Sequence, residues 1–303
     1  CLDRELQPCG GTTEQGRARA CGDCAFVASS AGAMFDSLVD AGFTKEGAQW
    51  MTTNLTPVNG APGGELTWNF DLPGIAEKAE TLGRTLYDAR HPTRDFATGK
   101  GHKRSGKRLL TVGTDVSVGK MFTSLAIEKE MKARGMKATF RATGQTGIFI
   151  AGEGVSVDAV VADFISGATE WLAPANDDDH WDVVEGQGSL FHAAYAGVTL
   201  GLLHGAQPDA IVLCHEPTRP HMRGTPTVPM PDLQAVIDAN ISSGRLTNPD
   251  IRCIGVSVNT SALSDSEADK LLQELETKLG PVSYTHLRAH ETDSYLVCRL
   301  VLE

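Results

Sequence analysis

The stretch with the plainest chemistry is Gly113-Thr-Asp-Val-Ser-Val-Gly-Lys120, which comes close to the pattern G-x-x-x-x-G-K-[ST] of a phosphate-binding loop. Glycines let the backbone curl so that its N–H groups face an anion. A following helix N-terminus adds partial positive charge, and the lysine adds a full one. Two positions depart from the pattern. Thr114 stands in the first glycine's place, with Gly113 one residue early, and Met121 stands where a Ser or Thr hydroxyl normally binds Mg²⁺. The expectation is a cradle that holds phosphates through Gly113, Thr114, Asp115, Ser117, Val118, Gly119, Lys120 and Met121, with nucleotide hydrolysis disfavoured. Asp115 and Ser117 could either orient a ligand or simply form the turn.

Four other polar clusters could carry chemistry. Glu185 ends the run Trp181-Asp-Val-Val and is followed by Gly186-Gln-Gly-Ser189, so it reads as a strand-end carboxylate facing the phosphate loop, as base or Mg²⁺ ligand. In Arg141-Ala-Thr-Gly-Gln-Thr-Gly147, Arg141 suits a carboxylate or phosphate held by two parallel hydrogen bonds, and Thr143 and Gln145 add neutral groups. Cys214-His-Glu-Pro-Thr-Arg-Pro-His-Met-Arg223 is the densest cluster. Its His215 and Glu216 are candidate acid–base groups, and Arg219 and Arg223 could clamp an anionic substrate. Asn259-Thr-Ser261 could contact an adenine or cap a helix starting near Ser264. His192 and His204 fall on a predicted helix and read as packing or surface residues. Cys21-Gly-Asp-Cys24 has the spacing of half a zinc site, but no second Cys or His pair follows at a suitable distance, so no metal site is expected.

These residues need a scaffold, and from 109 to 280 the pattern supplies one. Apolar runs predict strands at 109–113, 137–142, 181–185, 209–214 and 251–258, alternating with helical spacing over 119–134, 155–173, 192–205, 231–243 and 264–279. Such alternation predicts an α/β fold, a doubly wound and mostly parallel sheet of the P-loop NTPase type. Ala210-Ile-Val-Leu-Cys214 is apolar throughout, as a buried parallel strand should be. In such sheets ligands sit at the carboxyl ends of the strands, where the polar clusters fall.

The flanks differ. Residues 1–80 show one strand-like hint (24–27) and helical stretches at 31–41 and 45–51. An Asn/Pro/Gly-rich loop follows at 54–64, which together read as an incomplete or atypical N-terminal segment. Residues 81–108 read as the end of a helix (75–87) and a basic, glycine-containing connector, solvated or placed to help hold an acidic cofactor. The P-loop domain spans 109–282. Residues 283–303 resemble a tail that recurs on unrelated metagenomic proteins as translated adaptor, and are expected to be non-native.

With 303 residues, 41% hydrophobic and 21% charged, the composition is that of an ordinary soluble chain. A net charge of −11 argues against nucleic acid or an anionic membrane as a partner. No apolar run approaches the roughly 18–20 residues of a membrane helix. The expectation is a cytoplasmic chain with a small-molecule substrate, compatible with a homo-oligomer.

Taken together, Gly113-Thr-Asp-Val-Ser-Val-Gly-Lys120, Glu185-Gly-Gln-Gly-Ser189 and Asn259-Thr260 resemble the dethiobiotin-synthetase-like branch of P-loop proteins. Four longer stretches, Arg104 to Asp115, Phe140 to Gly147, Asp182 to His192 and Leu213 to Arg219, resemble the D-glutamate N-acetyltransferase family, whose Gly-Lys-Met matches Gly119-Lys120-Met121. The resemblance covers about residues 80–280. It implies acetyl transfer from acetyl-CoA to the amine of D-glutamate, on a P-loop domain preceded by a smaller Rossmann-like domain. On that reading Gly113 to Met121 and Asn259 bind the cofactor, and Arg141, Thr143, Gln145, Arg219 and Arg223 bind substrate. His215, Glu216 or Glu185 then takes the proton from the substrate ammonium. Residues 1–80 depart from the family and suggest a chimeric or frameshifted join near 76–82. The alternatives are an ATP- and Mg²⁺-dependent ligase, against which Met121 counts, and a CoA- or nucleotide-binding module without chemistry.

Overall fold

Strand β1, Lys107–Gly113, is buried at every residue after the first. Its alternation divides the core in two. Leu109 joins Ile127, Met131, Ala138, Val183 and Val212 on one side of the sheet. Leu110 and Val112 join Val184, Ile211, Leu213, Leu202 and Val256 on the other. A strand in the middle of a parallel sheet is covered on both faces, which is why its sequence is apolar in succession rather than in alternation. The computed structural model describes residues 89, 90, 92, 94–279 and 283–287. Expectations for 1–88, including the Cys21/Cys24 pair and the helices before 88, lie outside the described residues.

In chain order, β1 is followed by α1 (Lys120–Ala133), β2 (Ala138–Arg141), α2 (Gln145–Ala151), α3 (Ile165–Leu172) and β3 (Trp181–Val184). Then come α4 (Ala196–Ala206), β4 (Ala210–His215), α5 (Leu233–Gly244), β5 (Arg252–Asn259), α6 (Asp265–Leu279) and β6 (Ser283–Leu287). The strands form one sheet in the order β2-β3-β1-β4-β5-β6, with every pairing parallel. α1 packs on the Leu109 side; α3, α4, α5 and α6 contribute to the Leu110 side. This is the doubly wound α/β fold that the sequence predicts. Because β3 and β4 flank β1 while β2 lies outside β3, the chain reverses direction of winding at β1, and the loop after it opens at that switch point.

The structure differs from the sequence reading in three places. The helix predicted over 155–173 is an α-helix only from Ile165; before it, Val157–Ala159 and Ala162–Phe164 are single 3₁₀ turns separated by extended Val160 and Val161. Adjacent β-branched residues favour that break. Residues 145–151, between the predicted strand at 137–142 and the helical spacing from 155, form the short helix α2. Residues 283–287, set aside as tail, form strand β6 beside β5.

Two arginines of the basic connector, most of whose other residues are exposed, are built into the fold. Arg108 is wholly buried, and its guanidinium donates to the carbonyls of Arg104, Ser105 and Pro174. Arg104 donates to Ala173 O just beyond α3 (2.9 Å), to Gly205 O in the last turn of α4 (2.8 Å) and to Gln207 Oε1 (3.0 Å). Cations at helix C-termini satisfy otherwise open carbonyls. Both arginines sit at the amino end of β1, so they brace the base of the sheet and lie at the opposite end of that strand from the phosphate loop. Among the described residues no helix is long and apolar enough to cross a membrane.

Candidate active site

The loop leaving β1 takes the form its residues predicted. Gly113 is level with Cys214 of β4, and Thr114 N–H continues the ladder to Cys214 O (3.1 Å). Ser117 has φ 53° and Gly119 φ 96°, two left-handed residues that turn the chain into α1. Gly119 needs no Cβ to reach that conformation, whereas Ser117 is held in a region that non-glycine residues seldom adopt. Lys120 opens α1 and is almost wholly buried, and its Nζ donates to Asp115 O (2.9 Å). No side chain caps α1, and its first turn contains no acidic residue. Its leading N–H groups and its dipole therefore suit an anion. Val118 is buried beneath the loop, and Met121 is half-buried at the second helical position, offering no hydroxyl.

Glu185 stands one residue beyond β3, level with Thr111 of β1. The loop that begins there presses against β1: a Cβ on Gly186 would lie 1.7 Å from Thr111 O, and Gly186 N–H donates to Thr111 Oγ1 (2.9 Å). Only glycine permits that approach. Ser189 Oγ then donates to Thr114 O (3.1 Å), tying the Glu185 loop to the phosphate loop. The Glu185 carboxylate is buried; its Oε2 accepts Thr143 N–H (2.9 Å) and Gly144 N–H (3.1 Å) ahead of α2. Thr143 Oγ1 donates to Glu185 O (2.6 Å), and Gln187 Nε2 lies 3.4 Å from Glu185 Oε1. Burial raises the carboxyl pKa to about 7, against the two N–H groups and the nearby Lys120 charge, which favour the ionised form.

The cluster after β4 divides. His215 Nδ1 lies 3.1 Å from Thr114 Oγ1, and burial lowers its pKa to about 4, so the ring is neutral at pH 7. Glu216 accepts Thr218 Oγ1–H and pairs with Arg219 (3.1 and 3.2 Å). Arg219 also donates to Asp115 Oδ2 (2.7 Å), Val116 O (2.8 Å) and Ser117 O (3.2 Å). Its guanidinium therefore grips the phosphate loop itself. Asp115 is fully buried; besides Arg219 it accepts Val116 N–H and Arg223 N–H, each at 2.7 Å. Arg223 is exposed.

Other expected site residues are placed differently. Arg141 turns back along the sheet to Asp182 at the start of β3 (Nε to Oδ1, 2.7 Å), a partner buried to 1% exposure. Gln145 opens α2 beside the Glu185 carboxylate's N–H donors. Asn259 ends β5, where its Oδ1 accepts Ser261 N–H (3.1 Å). The cap of α6 is instead the reciprocal Ser264–Glu267 pair. His204 packs as expected, against Ser243 O on α5 (3.1 Å). His192 is buried too, but between site loops: its Nε2 lies 2.8 Å from Arg223 O, and its Nδ1 accepts Ala194 N–H (3.2 Å). Residue type alone could not separate that role from ordinary packing. Among the described residues no group of His, Cys, Asp and Glu could hold a metal ion.

Comparison with known proteins adds independent findings. A family described as "Domain of unknown function (DUF1611_C) P-loop domain" matches residues 95–293. A curated D-glutamate N-acetyltransferase of Tritonibacter scottomollicae is 55% identical over 210 residues, 69% of this chain and 63% of that protein. One from a Pseudoalteromonas species is 54% identical over 213 residues, 70% of this chain and again 63% of the relative. The chain thus spans just under two thirds of the length of the curated relatives it matches. A crystal structure of a DUF1611 family protein from Anabaena variabilis aligns with a TM-score of 0.63 and 33% identity, covering 73% of this chain and 64% of that one.

Proposed function

The chain belongs to the DUF1611 P-loop family, and from that premise we propose that it is an N-acetyltransferase, moving acetyl from acetyl-CoA to the amine of D-glutamate. The names of the curated relatives support the reaction. Support from the site rests on one observation: a phosphate cradle and a carboxyl group with a pKa near 7 meet at the switch point of the sheet. The cradle fits the phosphates of CoA, since Lys120 and the uncapped start of α1 offer charge and N–H groups, and no Mg²⁺-binding hydroxyl is required.

Acetyl-CoA supplies an activated acyl carbon and a thiolate leaving group. The protein's share is to hold the phosphates, to orient the amine and to accept a proton from the ammonium before attack. Of the three candidate bases, Glu216 is occupied by Thr218 and Arg219, and His215 at about 4 is too weakly basic to retain a proton at pH 7. Glu185 titrates where a general base works best. The same reading makes the chain a cytoplasmic small-molecule enzyme.

The test is thiol release from acetyl-CoA on addition of D-glutamate, with EDTA present. Release that depends on D-glutamate and is indifferent to EDTA is expected. Mg²⁺-dependent ADP formation from ATP on adding a carboxylate substrate would instead mark a ligase.

A further inference from the structure

The two arginines after β4 are handled in opposite ways. Arg219 directs its guanidinium at the phosphate loop, holding the carbonyls of Val116 and Ser117, one on either side of the Ser117 Cα. Ser117 is the loop's left-handed non-glycine residue, a conformation that persists only where surrounding contacts over-determine it. Arg223 is held by its backbone instead. Its N–H goes to Asp115 Oδ2 (2.7 Å), and its carbonyl accepts from His192 Nε2 (2.8 Å). Ala194 N–H on His192 Nδ1 fixes the tautomer that leaves the ring proton on Nε2. No hydrogen bond or ion pair to the Arg223 guanidinium is found among the described residues.

Asp115 is the common point, since its Oδ2 takes both Arg219 Nη1–H and Arg223 N–H. A buried carboxylate inside an anion-binding loop would repel phosphate unless neutralised, and Arg219 supplies that neutralisation.

We propose that Asp115, Arg219 and His192 form a latch fastening the loop after β4 onto the phosphate loop. Arg219 acts as a positioning residue for the Ser117 turn, and Arg223, carried by the latch, is the cation that meets the ligand's anionic groups. The proposal rests on reading the loop as a phosphate site. It does not depend on which acyl acceptor is used.

The full chain and its R219K, D115N and R223Q variants serve as the test. Hydrogen exchange of the amides of residues 114–119 is followed without ligand, and calorimetry uses pyrophosphate and CoA as probes. R219K keeps the charge and loses the fork, so loop exchange should quicken, and both probes should bind more weakly, each by about tenfold or more. D115N should do the same, and the double variant should add little to the worse single one, as expected for groups acting through one contact. R223Q should weaken both probes while leaving loop exchange unchanged. Wild-type exchange in R219K overturns the latch, and wild-type probe affinity in R223Q overturns its assignment. A raised KM for D-glutamate in R219K with exchange and CoA affinity unchanged would make Arg219 a substrate clamp instead. If D115N does not fold, R219K carries the test alone. Failure of acetyl transfer in the wild type would remove the proposed reaction yet leave the exchange and pyrophosphate measurements to decide the latch.

Discussion

Glu185 follows and His215 ends the two strands that flank β1, and burial moves their protonation in opposite senses. Between pH 4.5 and about 7 the folded chain keeps a proton on Glu185 that the unfolded chain has released, so this group's contribution makes stability fall as pH rises through that window. Between about 4 and 6.5 the unfolded chain protonates a histidine that the folded chain keeps neutral, so His215 makes stability rise with pH. The windows overlap, and the two slopes oppose each other there. Each single variant should unmask the other group. E185Q should gain on the wild type from pH 4.5 upward, reaching about 3 kcal/mol above pH 7, while H215N should lose the acid-side decline. Calorimetric Tm against pH checks both. The same E185Q variant should lose about 10² to 10⁴ of the proposed turnover, because its amide cannot accept the ammonium proton. Parallel Tm profiles for E185Q and wild type would show that Glu185 is ionised across the range and is no tuned base.

At the scale of elements, α4 shows how the sheet's cover constrains sequence. Two of its glycines look interchangeable in the sequence, but their surroundings differ. A Cβ at Gly197 would meet nothing within 4 Å, whereas one at Gly205 would lie 2.3 Å from Ser166 O and 2.6 Å from Thr169 Cβ on α3. G197A should therefore stabilise by up to about 1 kcal/mol through helix propensity. G205A must push α3 away and should cost about 1–3 kcal/mol. Chemical denaturation of both variants checks the opposite signs. Much of the fold at this scale was legible: the five predicted strands lie within about two residues of those observed, because buried parallel strands are apolar in succession. The failures share a cause. α2 has only seven residues, too few to show a period, and the turns before α3 are set by Val160 and Val161 inside an otherwise helical pattern. Arg104 and Arg108 read as solvated charges because the carbonyls they satisfy lie more than sixty residues away as well as nearby.

At the scale of the whole molecule, the site was legible in its parts and hidden in its pairings. The phosphate loop, Glu185 and the cluster after β4 follow from local pattern. That Arg219 serves Asp115, 104 residues earlier, and Arg141 serves Asp182 does not. Those pairings bear on what the chain can bind. D-glutamate presents two carboxylates, and of the three arginines proposed for them two are already engaged within the described residues. The latch gives Arg223 to the ligand's phosphates, so bidentate recognition of the two carboxylates asks for further cations. The curated relatives have over a third of their length that this chain does not match. On the proposed reading the matched part should therefore bind CoA and recognise the acceptor less well. Joining the unmatched part of the Tritonibacter scottomollicae protein to the region it shares with this chain should leave CoA affinity unchanged by calorimetry, while lowering KM for D-glutamate and raising kcat in the thiol-release assay. Equal KM values for the chain and the chimaera would mean that the acceptor site is complete within this chain, with Arg141 or Arg219 released from its present partner when substrate binds.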